Sequence, residues 1–292
     1  DLTGQTIKGI PVVADRKNAV NYLCQNWVDE VITCYNNNED VINPILEDCR
    51  EMGITVHIAL TKCGIEGAKR RIENVGGYTV VTNYITSASN RQIFLKRLMD
   101  ICGGIVGCLI TLILFLFVAP AIYIKSPGPI FFSQIRVGKN GKKFRIYKFR
   151  SMYMDAEERK KELMKQNKVK DGMMFKMDHD PRIIKGVGNF IRKTSIDEFP
   201  QFFNVLKGDM SLVGTRPPTV DEWEKYNKHH RRRMAIKPGL TGMWQISGRS
   251  SITDFDEVVA LDTKYIAEWN IGLDIKILFK TVGVIFTGKG SQ

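Results

Sequence analysis

The sequence predicts an α/β fold that turns mainly α: an open α/β sheet over the first 85 or so residues, one membrane-embedded helix, and a mostly helical remainder holding a small β-hairpin. Three observations predict it. Short β-branched runs alternate with helical stretches early on, the run from Ile101 to Ile124 carries no charge, and the stretch from Gly128 onward is rich in Lys and Arg with apolar residues at helical spacing. At 292 residues and 43% apolar content the chain can pack one large core or two ordinary ones, so disorder is not expected. Its net charge of +12 favours polyanions, whether nucleic acid, anionic headgroups or phosphorylated substrates, without choosing among them.

The runs IKGIPVVA, DEVITCY, GITVHIAL and YTVVTNYI have strand length and β-branched content. Their alternation with helical segments is the rhythm of an open parallel sheet. Between the second and third, EDVINPILEDCREMGI repeats apolar residues at helical spacing and stops at Gly53, the residue type that closes helices. A nucleotide site here would need a glycine-rich turn after the first strand, and VVADRKNAV offers none; a structural or assembly role is the stronger expectation. Cys24, Cys34, Cys49, Cys63, Cys102 and Cys108 form no closely spaced pair and are expected to be reduced, buried thiols on the cytoplasmic side. His57, His179, His229 and His230 are too scattered to suggest a metal site, the adjacent last two aside. A start at Asp1, without methionine or signal peptide, suggests a piece of something longer.

As a helix, the uncharged run would be roughly 36 Å long, enough for a hydrocarbon core of about 30 Å. GIVGCLITLILFLFVAP has no polar face to offer solvent. Arg91, Lys96 and Arg97 precede it and Lys125, Arg136, Lys139, Lys142 and Lys143 come after it, so both flanks are basic and both ends are expected on the cytoplasmic side. Pro120 removes a backbone hydrogen bond and bends a helix. The expectation is a re-entrant, monotopic segment broken at Pro120, with a short returning leg before Ser126 and Pro127.

Beyond it, PIFFSQIRVGKNGKKFRIYKFRSM reads as a β-hairpin turning at Gly138, Lys139, Asn140 and Gly141. DAEERKKELMKQNK, from Asp155, reads as a solvated helix with acidic residues in its first turn. TSIDEFPQFFNV then pairs Asp197 with Glu198. One reading is a helix start: Ser195 and Glu198 have capping-box spacing, and Asp197 gains from the helix dipole. Pro200 resists it, because a helix capped at Ser195 would place a residue without N–H just past its first turn. The other reading is chemistry. Arg192 and Lys193 before the pair, with Lys207 and Arg216 after it, keep a carboxylate ionised as a nucleophile or magnesium ligand requires.

Together with this stretch, the segments KFRSM, DAEER, DPRI, KGDMSLVGTRPP, HRRRMAIKPGLTGMWQISGR and YIAEWNIGLDIKILFKT resemble the bacterial sugar transferase family, from about Phe94 to Gln292. These are monotopic polyprenol-phosphate phosphoglycosyl transferases. The N-terminal part resembles the Rossmann-like domain of the larger members. The resemblance implies three parts: a Rossmann-like α/β domain over 1–88, a re-entrant membrane helix over 89–127, and a catalytic domain over 128–292. It also implies transfer of a sugar 1-phosphate from a UDP-sugar to undecaprenyl phosphate with release of UMP, at the cytoplasmic face of the bacterial inner membrane, in the first membrane step of exopolysaccharide, capsule or O-antigen assembly. Galactose and glucose are the leading sugars. Asp197 would be the nucleophile and a ligand of Mg2+, Glu198 its partner. Lys148, Arg150, Arg192 and Arg216 are the phosphate-holding candidates, with Gln245 and Arg249 in the glycine-rich loop for uridine or sugar. On residue chemistry alone that loop is equally a tight turn, and Trp223, Trp244 and Trp269 are equally core or interface residues. Two departures stand out: Ala119 replaces the usual serine before Pro120, and Thr215 replaces the first proline of a Gly-Pro-Arg-Pro loop. Membrane lipid is an expected partner, a homodimer is suggested by the larger members, and nucleic acid is not expected because no base-reading module accompanies the uncharged segment. The alternative is a membrane-attached nucleotide-sensing or scaffold module without catalysis.

Overall fold

The computed structural model describes residues 2–33, 39–59, 69–84, 88–163, 180–248, 252 and 254–287. The chain divides into two compact units, one of Asp1–Ser87, Lys139–Lys142 and Tyr226–Ala235, the other of Ala88–Gly138, Lys143–Lys225 and Ile236–Gln292.

The first unit begins with a two-residue antiparallel pair, β1 (Thr6–Ile7) and β2 (Ile10–Pro11). Lys8 and Gly9 between them both take positive φ, the backbone of a tight hairpin turn, so IKGIPVVA folds back on itself instead of forming one strand. After α1 (Ala19–Gln25) come β3 (Glu30–Thr33), α2 (Glu39–Met52), β4 (Thr55–Ala59), β5 (Lys69–Val75) and β6 (Tyr78–Tyr84). Their sheet has the order β3-β4-β6-β5. Only β3 and β4, joined through α2, are parallel; β6 runs antiparallel to both β4 and β5. The parallel sheet expected over this region is therefore corrected to a mixed one. A parallel connection needs a crossover of a dozen or more residues, whereas Gly76 and Gly77, both at positive φ, close β5 and β6 into a hairpin.

Leu46, Cys49 and Met52 of α2 pack with Ile54 and Val56 in this unit's core. Burial pushes the Cys49 thiol up to about 12, so it stays protonated at neutral pH. Cys102 is exposed, against the expectation of buried thiols, while Cys34, Cys63 and His179 lie outside the described residues. The two later segments are held by specific contacts: Lys228 Nζ lies 2.6 Å from Asp48 Oδ1, Asn140 Nδ2 donates to Asp29 Oδ1 at 3.2 Å, and the Lys142 ammonium sits 4.7 Å over the Trp27 ring.

The second unit opens with α3 (Asn90–Lys125), started by a capping box between Ser89 and Gln92. The helix continues through Pro120, which lacks only its own N–H bond, to a C-cap at Ser126, so it does not end at the proline where a break was expected. Ile105, Leu109, Leu112, Ile113, Leu116 and Phe117 are exposed along it. The opposite side is narrow: a Cβ on Gly107 would come within 2.1 Å of the Phe202 ring, and one on Gly104 within 2.8 Å of Leu206. β7 (Phe131–Val137) and β8 (Lys143–Phe149) form the predicted antiparallel hairpin. α4 (Ala156–Leu163) is the predicted charged helix as far as it is described.

Next in the chain are α5 (Val187–Lys193), α6 (Gln201–Lys207), β9 (Ser211–Val213) and α7 (Val220–Glu224), then the α8 turn (Lys228–Arg231) of the first unit, β10 (Gly239–Thr241), α9 (Met243–Ile246), α10 (Phe255–Glu268) and α11 (Ile271–Thr287). β9 and β10 pair in parallel. Val118 and Ile122 of α3 join Phe149, Ile184 and Ile191 in a core that Ile196 and Phe199 also reach. A buried polar cluster fixes β9: Asp100 accepts from Ser211 Oγ at 2.8 Å and Leu212 N at 2.9 Å, and Lys96 donates to Val213 O at 3.0 Å while lying 2.7 Å from Asp274 Oδ2. The chain is thus mixed α/β, mostly helical after residue 88, with one long apolar helix.

Candidate active site

A cleft of about 240 Å³ in the second unit is lined by Arg136, Ile146, Lys148, Arg192, Ser195, Asp197, Glu198, Gln201, Arg216, Pro217, Gly239, Leu240, Trp244 and Gln245. Its carboxylates come from the turn between α5 and α6. α5 ends at Lys193, Ser195 takes φ 56° and ψ 18°, and a single 3-10 turn spans Ile196–Glu198. Positive φ at a residue with a Cβ costs about 1 kcal/mol or more, and here it swings the chain out of the α5 axis. The capping-box reading of Ser195 and Glu198 is thereby corrected, since Ser195 is left-handed and makes no side-chain cap. A capping box needs an extended N-cap. Pro200 is the N-cap of α6, so the helix begins after the proline, as the missing N–H demands.

Asp197 is 6% exposed. Its neighbours Ile196 and Phe199 pack into the core beside α3, and Thr111 Oγ1 of α3 donates to Phe199 O at 3.1 Å. Arg97 of α3 donates from Nη1 to Val205 O at 2.8 Å and from Nη2 to Leu206 O at 2.7 Å, holding the last carbonyls of α6. Glu198 Oε1 lies 2.8 Å from Lys148 Nζ on β8. Lys148 therefore balances the second carboxylate of the pair.

The facing wall is cationic. Arg216 donates from Nη1 to Glu222 Oε2 at 3.1 Å and from Nη2 to Oε1 at 3.4 Å, and Thr219 N donates to Oε2 at 2.9 Å. Burial pushes the Glu222 carboxyl up, but Arg216, Arg136 and the Thr219 N–H more than offset this and hold it below the usual glutamate range. Arg136 Nη1 donates to Pro217 O at 3.2 Å. Burial, then the neighbouring Arg216, push the Arg136 guanidinium down to about 10, still charged at neutral pH. The floor is β10 and α9, where Gln245 Nε2 donates to Leu240 O at 3.1 Å. A Cβ on Gly239 would meet Gly214 N at 2.0 Å, so this glycine serves backbone packing.

Lys148, Arg192, Asp197, Glu198, Arg216 and Gln245 come together in one cleft. Arg150 does not line it: its guanidinium donates to Ser126 Oγ at 3.1 Å and to Ser126 O, closing the end of α3. Arg249 lies outside the described residues, and Pro120 is inside α3, away from the cleft lining. Sequence reasoning passed over Arg136 as a flanking charge and left Trp244 undecided; both line the cleft. Four buried polar atoms around it, Arg136 Nε, Arg192 Nε, Trp244 Nε1 and Gln245 Oε1, have no hydrogen-bond partner among the described residues. Unmatched buried donors are costly, and three donors with one acceptor suit an anionic, hydroxyl-bearing ligand.

A buried carboxylate facing guanidinium groups, on a unit built around a long apolar helix, defines a membrane-associated protein whose site suits phosphate esters. Residues 91–288 match the bacterial sugar transferase family, and the chain belongs to that family. It is 52% identical over 252 residues to galactosyl transferase CpsE of Streptococcus agalactiae, covering 86% of this chain and 56% of that protein. It is 43% identical over 217 residues to undecaprenyl-phosphate galactose phosphotransferase of Salmonella typhimurium, covering 72% and 44%. With UDP-glucose:undecaprenyl-phosphate glucose-1-phosphate transferase of Escherichia coli it shares 40% over 234 residues, covering 76% and 46%. The chain spans about half the length of these curated relatives.

Proposed function

We propose that the chain transfers a sugar 1-phosphate from a UDP-sugar to undecaprenyl phosphate, releasing UMP, with Asp197 as the nucleophile. The observation that carries this is a buried carboxylate, Asp197, in a cleft whose other walls hold Arg136, Arg192 and Arg216. Asp197 attacks the phosphorus that bears the sugar, the bond to the UMP oxygen breaks, and UMP departs. The lipid phosphate oxygen then attacks the aspartyl phosphate, forming the undecaprenyl diphosphate sugar and restoring the carboxylate. Dividing one displacement into two lets one cleft serve a soluble and a lipid substrate in turn. Lys148 keeps Glu198, the partner carboxylate, in place beside the nucleophile.

Mg2+ fits this donor set. Asp197 would hold it, and the ion would neutralise diphosphate charge. Among the described residues no group of three or more His, Cys, Asp or Glu gathers, so substrate oxygens and water would complete its shell, as magnesium commonly accepts.

The reading places the chain at the cytoplasmic face of the inner membrane, with 89–127 as a re-entrant segment between a Rossmann-like domain at 1–88 and a catalytic domain at 128–292. The β3–α2–β4 unit supports the first assignment. For the segment, support comes from its two ends. Arg97 grips α6 and Ser126 binds Arg150, although about 43 Å of helix separates them at 1.5 Å per residue. Both ends are thus gripped by residues outside the apolar run, Val205 and Leu206 at one and Arg150 at the other, all of the same compact unit, which fits a segment that enters and leaves by the same face. Galactose is the first sugar to test, glucose the second, from the activities for which the relatives are named.

The experiment is UMP release across a UDP-sugar panel with undecaprenyl phosphate, for wild type and Asp197→Asn, beside intact-mass detection of a sugar-phosphate adduct. Release and adduct in wild type, both absent from the variant, are expected; equal release by both would refute the assignment.

A further inference from the structure

Arg136 stands at the end of β7, where β7 meets the loop that carries Arg216. Its Nη1 donates to Pro217 O at 3.2 Å, and Val137 N donates to Pro218 O at 3.0 Å, so strand and loop are fastened on both sides of the guanidinium. Both oxygens of Glu222 on this wall are taken: Oε2 by Arg216 Nη1 and Thr219 N, Oε1 by Arg216 Nη2. Arg136 therefore donates to a neutral carbonyl, Pro217 O, while Glu222 is engaged by its neighbour Arg216. Its Nε is buried without a partner among the described residues and its side chain lines the cleft. A cation that is desolvated, crowded by Arg216 and short of one acceptor is stabilised by an incoming anion.

We infer that Arg136 is a further substrate-contacting residue, which with Arg216 forms a two-guanidinium seat for the phosphate that leaves with the nucleoside. The assignment to that phosphate rests on position. Lys148 pairs with Glu198 of the carboxylate turn, whereas Arg136 is fastened to the Arg216 loop through Pro217 O, so the two guanidiniums lie together on the wall that carries neither carboxylate of the pair, where leaving-group charge can be met. This rests on the proposed transfer for its role in turnover, but the seat itself is read by binding alone.

Dissociation constants for UMP and uridine are measured on the full chain in lipid nanodiscs, for wild type, Arg136→Lys and Arg136→Gln, with UMP release followed in parallel. Loss of a charge-assisted pair weakens UMP about 10- to 100-fold in Arg136→Gln, less in Arg136→Lys, and leaves uridine unchanged. A merely structural role would weaken uridine and UMP together. That parallel loss, an unchanged UMP constant in the variants, or a wild type that prefers UMP no more than uridine each overturns the seat. A wild type that binds UMP through Arg136 yet releases none from any UDP-sugar would instead refute the transfer and support the seat. Turnover by wild type with unaltered UMP binding in the variants refutes the seat and leaves the transfer standing.

Discussion

The two walls of the cleft are held by different physics. The carboxylate turn is positioned by apolar packing: Ile196 and Phe199 sit in the core beside α3, and Phe202 and Leu206 of α6 close on its glycines. The guanidinium wall is positioned by polar contacts: Arg216 and Thr219 N donate to Glu222, and Arg136 donates to Pro217 O beside them. Packing is insensitive to pH and sensitive to volume, while an ion network is the reverse. A site built this way holds its carboxylate turn by volume and its guanidinium wall by charge.

The largest expected break in this contrast is chemical. Asp197→Asn keeps the packing and removes the proposed nucleophile, so UMP release is expected to fall by at least about 10³-fold while the thermal midpoint stays near wild type. Next, Glu222→Gln removes the charge that Arg216 pairs with and costs about 2–4 kcal/mol of stability, read by thermal unfolding in detergent. Because the Glu222 carboxyl is held below the usual glutamate value of 4.5, its contribution is complete above that value and lost as pH falls through the lower folded-state value. The acid loss of stability is therefore shallower in Glu222→Gln, and a variant with the wild-type pH dependence would show that the wall is not charge-held. Gly107→Ala tests the other wall by volume: the added methyl meets the Phe202 ring and costs about 1–3 kcal/mol with no pH dependence, measured by the same unfolding assay. Smallest is Ser195→Gly, which removes the left-handed penalty and raises stability by about 0.5 kcal/mol; Ser195→Val, unable to adopt that backbone, lowers it.

The same division explains what sequence could reveal. Asp197 and Glu198 were visible because their signal is local: two acids, a proline and flanking cations within one short stretch. The conflict between Pro200 and a cap at Ser195 foretold that α6 starts late, but not that Ser195 turns left-handed, which the exit from α5 decides. Arg216 was legible from its loop, whereas Arg136 gained its place through pairing with residues some 80 positions away, and no local pattern separates it from other basic residues after the apolar run. Arg150 carries the right chemistry in the right motif, yet the carbonyl at the end of α3 claims it. In the first unit, β5 was missed because Lys69, Arg70 and Arg71 mask a strand that only its partner β6 selects. That hairpin also overrode the parallel rhythm of the β-branched runs.

The make-up of the first unit from Asp1–Ser87, Lys139–Lys142 and Tyr226–Ala235 sets an order of events during synthesis. The sheet and α2 can form early, but Asp48, Asp29 and Trp27 wait for Lys228, Asn140 and Lys142, which emerge only after the apolar helix has been made. At about 5–20 residues per second, the wait from Ser87 to Ala235 lasts roughly 7–30 s. Synthesis of the apolar helix therefore precedes completion of the first unit, and a ribosome stalled before Tyr226 would carry all of α3 and a first unit still lacking its last segment.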